Sequence, residues 1–237
     1  MTAKLMPQID PAVRRARFPT VHSGLDGAGS GSLVVMARKV LLSRFAKPLL
    51  FAAALLPFAW LLYAAISNQL GANPAEALVR STGDWTLRFL CLVLAVTPLR
   101  VITQTPALAR FRRMVGLLMY FYASVHLLSY SWFDMGFDVA DIARDIAKRP
   151  FILVGFTAFV LLTPLALTSF NRIVKAMGAK RWQLLHKLVY AIACLAVLHF
   201  FWMRAGKNNF AEVFVYAAIL GLLLGWRLLR ALNFPHR

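Results

Sequence analysis

The chain has 237 residues, of which 60% are apolar and only 15% charged, with 27 Lys and Arg against 9 Asp and Glu for a formal charge of +18. Soluble domains are nearer half apolar and a quarter charged, and disordered chains need low hydrophobicity, so both classes are excluded. A nucleic-acid binder is excluded as well, because it displays its basic residues on a polar, water-soluble surface that this composition cannot supply.

In chain order, residues 1–35 are rich in Gly, Ser and Arg and lack periodicity. They read as a disordered extension ahead of a single domain at 36–237. Met36 opens a compact basic stretch and is a candidate functional start. Six apolar stretches follow, each near the length of about 17 to 25 residues that a bilayer requires. They run Leu49–Ile66, Trp85–Ile102, Met114–Trp132, Phe151–Thr168, Leu184–Met203 and Phe210–Leu229. None alternates like a barrel strand, so the expected fold is an all-α membrane bundle of six transmembrane helices. Asp84 is the expected cap of the second helix, and Pro150 stands just before the fourth. Cys91 and Cys194 each sit in an apolar run, outside any metal or haem-attachment motif.

Basic residues orient such a bundle. Lys4, Arg14, Arg15, Arg17, Arg38, Lys39, Arg44 and Lys47 precede the first span. Arg100, Arg110, Arg112 and Arg113 lie between the second and third, and Arg172, Lys175, Lys180 and Arg181 between the fourth and fifth. Arg227, Arg230 and Arg237 are assigned to the tail. The alternate loops hold only Arg80, Arg144, Lys148, Arg149, Arg204 and Lys207, offset by acids. Both termini are therefore expected in the cytoplasm.

His22 and His236 lie in the tails, whereas His126, His186 and His199 lie within spans. Ionisable groups inside a membrane are costly and are functional candidates by default. Neutral imidazole is a good axial ligand for haem iron. Helices three and five run in the same direction, and at about 1.5 Å per residue His126 and His199 reach similar depths in the outer half of the bilayer. Two histidines so placed can ligate one haem from both faces. His186 falls about 20 Å lower and about 140° around the helix from His199. Its role stays open between a second haem with some other or shared ligand and a bond to a propionate, a quinone or a flavin. Arg88 is the candidate partner of a haem propionate at the outer site, and Arg112 and Arg113 could serve an inner cofactor. Phe133–Pro150 is the longest outer loop, with a docking face for a partner and a solvated interfacial loop both open as readings.

These motifs support a family resemblance. From about Met36 onward the chain resembles the ferric-reductase-like transmembrane proteins, within them the haem-binding membrane subunits of bacterial periplasmic protein-methionine-sulfoxide reductase systems (the MsrQ or YedZ type). The resemblance is carried by Leu55-Leu-Pro-Phe-Ala-Trp60, Thr97-Pro-Leu99, Arg112-Arg-Met-Val-Gly116, His126-Leu-Leu-Ser-Tyr130, Lys180-Arg-Trp-Gln-Leu-Leu-His186-Lys-Leu-Val-Tyr190 and His199-Phe-Phe-Trp202. It implies b-type haem bound through His126, His186 and His199, and FMN as a further cofactor. It implies electrons drawn from the quinone pool or a cytoplasmic flavin reductase. They would pass to a periplasmic molybdopterin subunit that reduces methionine sulfoxide in oxidised envelope proteins. The setting would be the bacterial inner membrane, and the chain would conduct electrons without substrate chemistry of its own. Related eukaryotic oxidases carry four haem histidines in two pairs, and this sequence lacks the fourth, so one haem is expected and a second stays open. The rival reading is a small transporter or proton channel that uses its membrane histidines and is colourless.

Overall fold

The computed structural model describes residues 39–206 and 208–233. The extension at 1–35, the candidate start Met36, and His22 and His236 lie outside them. Among the described residues there is no β-strand. In chain order the helices are α1 (Ala46–Ile66), α2 (Pro74–Ile102), a 3-10 turn (Pro106–Phe111) that leads into α3 (Arg112–Phe133), α4 (Val139–Lys148), α5 (Pro150–Leu167), α6 (Asn171–Met177), α7 (Ala179–His186), α8 (Leu188–Ala205) and α9 (Ala211–Asn233). Six helical segments are long and apolar enough to cross a membrane. These are α1, α2, the 3-10 turn with α3, α5, α7 with α8, and α9. The six expected spans are all present.

Their boundaries differ from the sequence reading for local reasons. Span two begins at Pro74, not at Trp85. Asn73 accepts a hydrogen bond from the amide of Glu76 at 3.2 Å, and Pro74 occupies the first helical position. An Asn cap, a proline at N1 and an acid at N3 together make a stronger start than Asp84 alone. Asp84 therefore lies inside the span as a membrane carboxylate and is not a cap. Span five is broken at Lys187, where its amide turns back onto the Leu184 carbonyl at 3.1 Å. Span six continues to Asn233, so Arg227 and Arg230 are helical residues and not tail. The long loop at 133–150 contains α4, an amphipathic helix capped by Asp138, which accepts from the amides of Ala140 and Asp141.

Two helix pairs make most of the interior: α2 packs along α3, and α5 packs along α8. The pairs meet where α3 touches α5, and α9 lies against both α2 and α8. Arginines secure α9 in a setting where the apolar effect cannot. Arg88 of α2 donates to the Tyr216 hydroxyl at 3.3 Å, and Arg204 of α8 pairs with Glu212. Arg227 donates to the Leu94 carbonyl of α2 at 2.8 Å. Both α1 and α9 leave most of their surface outward, as lipid-facing helices do.

The core centres on Tyr122, which is fully buried and stacked on Phe89 with ring centroids 5.1 Å apart. Its hydroxyl donates to the Ala54 carbonyl at 2.8 Å and ties α1 to α3. Tyr122→Phe leaves the packing intact but removes this hydrogen bond between α1 and α3, so it should destabilise the protein by about 1 kcal/mol. The Leu94→Ala cavity should cost about 2–5 kcal/mol. Thermal unfolding of the detergent-solubilised protein checks this order, with the lower midpoint expected for Leu94→Ala.

Candidate functional site

Each helix pair presents one histidine to the gap between the pairs. The His126 Nδ1 of α3 lies 2.8 Å from the Val79 carbonyl of α2, and the His199 Nδ1 of α8 lies 2.6 Å from the Phe151 carbonyl of α5. A carbonyl can only accept, so Nδ1 carries the proton in both rings and Nε2 keeps its lone pair. Thr82 reinforces the first contact, with its hydroxyl 3.4 Å from His126 Nδ1.

Both acceptors lie within helices, where residue i+4 normally covers the carbonyl of residue i. The residues four further on are Gly83 and Gly155. A Cβ at Gly83 would stand 3.1 Å from His126 Cε1, and one at Gly155 only 2.7 Å from His199 Cε1 and Nδ1. The absence of a side chain lets each ring rest on its neighbouring helix and reach the carbonyl. Sequence reasoning missed both glycines. The available signal was a glycine inside an otherwise apolar helical run, which costs about 1 kcal/mol relative to alanine unless something approaches closely.

The two imidazole rings lie nearly perpendicular, with centroids 6.3 Å apart and planes at 77°. They line a cavity of about 530 Å³, within the range of ligand pockets. Its walls are mainly apolar, among them Leu87, Leu90, Phe156, Phe159 and Leu162. Its polar lining includes Asn73, Glu76, Arg80, Asp84, Thr86, Tyr130, Asp134 and Arg149 beside the two histidines. Burial raises the Asp134 carboxyl above the ordinary carboxylate range, Arg149 opposes this, and Asp145 adds to it. Among the described residues, no group of three or more His, Cys, Asp or Glu could hold a bare metal ion. Two free Nε2 lone pairs across a gap suit a metal whose other positions are filled by its own macrocycle.

The remaining candidates lie elsewhere. Arg88 is exposed, sits over the Trp85 ring at 4.5 Å and does not line the cavity; Arg80 and Arg149 do. His186 lies outside the cavity lining. Its Nδ1 is 3.0 Å from the Trp182 carbonyl, and its ring stacks on Trp182 at 3.9 Å. Arg112 acts electrostatically on His186, while Arg113 donates to Asn171 at 2.5 Å. His126 and His199 are thus brought together, and His186, Arg112 and Arg113 belong to another region of the bundle.

Residues 82–197 match the family model described as ferric reductase like transmembrane component. That stretch contains Gly83, His126, Gly155 and His186. A protein-methionine-sulfoxide reductase heme-binding subunit MsrQ from Polaromonas naphthalenivorans (strain CJ2) is 82% identical over 80% of this chain and 87% of its own length. Proteins of the same name are 54% identical in Herminiimonas arsenicoxydans, over 75% and 82% of the two chains, and 45% identical in Xanthomonas campestris pv. campestris (strain B100), over 84% and 92%. No solved structure matches. With six apolar spans and relatives this similar along most of its length, the chain belongs to the MsrQ family of ferric-reductase-like transmembrane proteins.

Proposed function

We propose that the chain is the haem-binding electron-transfer subunit of a membrane-associated methionine-sulfoxide reductase, with one b-type haem ligated by His126 and His199. The observation that carries this reading is the pair of Nδ1-anchored imidazoles across one cavity. With ring centroids 6.3 Å apart, the two imidazoles are close enough to share one metal. When bound, such a haem supplies one-electron exchange between ferric and ferrous iron.

The residues of the chain do the rest. The Val79 and Phe151 carbonyls fix the tautomer and raise the basicity of the two imidazoles. With both rings held there, an exogenous substrate has no ligand position to take, so the role is conduction and not substrate chemistry. The apolar walls keep water away and set the potential.

The finer reading extends the same logic. The concentration of Lys and Arg in alternate connections of the sequence supports cytoplasmic termini in a bacterial inner-membrane protein. The histidine cavity then lies toward the periplasm, beside the catalytic partner, which is a molybdopterin subunit. Electrons enter from quinone or a cytoplasmic flavin reductase. His186, Arg112 and Arg113 lie at the opposite end and serve the entry side, where FMN or a second haem would bind. Trp182 stacked on His186 supports an aromatic surface there.

An absorption spectrum of the solubilised protein, oxidised and dithionite-reduced, tests the central claim. A Soret band is expected, and a colourless protein made with ample haem would favour the transporter reading. His126→Ala and His199→Ala should each abolish the low-spin signal, whereas His186→Ala should spare it; equal loss in all three refutes the assignment.

Gly155→Ala should lower haem content more than Gly83→Ala, because its Cβ would stand nearer the ring at 2.7 Å against 3.1 Å. Pyridine haemochrome analysis against total protein reads that order. For the topology, a C-terminal green fluorescent protein fusion should fluoresce and a C-terminal alkaline phosphatase fusion should be inactive. The reverse pair of results would invert the bundle.

A further inference from the structure

Arg80 and Arg149 stand in corresponding places relative to the two histidine anchors. Arg80 directly follows Val79, whose carbonyl holds His126, and Arg149 lies two residues before Phe151, whose carbonyl holds His199. Both arginines line the cavity between the imidazoles. Each is held by an acid four residues earlier in the chain: Glu76 lies 2.6 Å from Arg80 Nη2, and Asp145 lies 2.8 Å from Arg149 Nε. The Asp145 side chain is only 12% exposed, and its second oxygen accepts from the Tyr130 hydroxyl at 2.7 Å. The Arg149 fork is therefore braced from α3 as well as from α4.

A guanidinium offers five N–H donors in a planar fork, so an ion pair at one nitrogen leaves others for a second acceptor. Glu76, Asp84 and Asp134 also line the cavity. The rim thus has no excess of positive charge and selects by directed donors, not by its field. Arg88, the sequence candidate for an anionic partner, is occupied with Trp85 and Tyr216 away from the cavity.

We propose that Arg80 and Arg149 form a two-pronged carboxylate clamp on the cavity, taking the two acidic groups on one edge of a planar ligand centred between His126 and His199. The clamp rests on the haem reading above, and the acidic groups are then the two propionates. Bidentate donation from a fork suits a carboxylate in a way that a lysine would not. The clamp fixes how the macrocycle is rotated between the imidazoles, which the imidazoles alone leave free.

The test uses the full chain, purified without haem in detergent and titrated with ferric protoporphyrin IX and with its dimethyl ester. The ester keeps ring and metal and lacks both negative charges. The wild type should bind the diacid at least about tenfold more tightly, given two charge-assisted contacts. In the Arg80→Gln/Arg149→Gln double variant that preference should fall below about threefold, while the diester complex keeps its low-spin spectrum. Equal wild-type affinity for both compounds, or an undiminished preference in the double variant, overturns the clamp. Uptake of neither compound by the wild type overturns the haem reading, and the clamp with it. If the double variant does not take up even the diester, Arg80→Lys and Arg149→Lys decide. Each keeps its charge and loses the fork, and a wild-type preference in both overturns the clamp.

Discussion

The site depends on one contact made twice: an imidazole N–H resting on a carbonyl inside the neighbouring helix, over a glycine. That contact does three things at once. It gives a buried polar hydrogen a partner, which a membrane interior demands. It fixes the tautomer so that the other nitrogen keeps its lone pair. It also locks the two helices of each pair in register, because the ring fits only where the glycine lies. Val79, Gly83 and His126 do this for α2 and α3, and Phe151, Gly155 and His199 do it for α5 and α8.

The bundle and its histidine pair were legible in the sequence. Long apolar runs have one physical outcome in lipid, and counting residues along parallel helices puts His126 and His199 at one depth. The supporting residues were harder to read. A glycine in a helix says that something comes close without naming it, and only the fold joins Gly155 to a ring 44 positions later in the chain (199 minus 155). Arg88 looked like a membrane cation in need of an anion, but Tyr216 and the Trp85 ring satisfy it. Asp84 looked like a cap because the apolar run starts beside it, whereas the helix starts at Asn73 and Pro74. Charge counting treated Arg204 and Arg227 as loop and tail residues, yet both lie in helices and secure α9.

Charge within and beside the spans thus has two uses in this molecule. Arg88, Arg204 and Arg227 join helices that lipid gives no reason to associate. Arg80 and Arg149 stand at the cavity with their rear faces braced by acids. A braced side chain holds its direction before any ligand arrives, and that reduces the entropy lost on binding. The amphipathic α4 carries one such brace, Asp145, so the longest surface segment is also a structural support of the cavity.

The separations along the chain carry a consequence for synthesis. His126 is 47 residues from Val79, and His199 is 48 from Phe151, so the two halves close loops of nearly equal length and similar entropic cost. The halves do not arise together. The residues of the first are all synthesised once α3 has left the ribosome, while those of the second wait for α8. His126 and its carbonyl acceptor are therefore both present for an interval before His199 exists. If the two imidazoles bind one group between them, as proposed, that group can be held from both sides only after α8 has emerged.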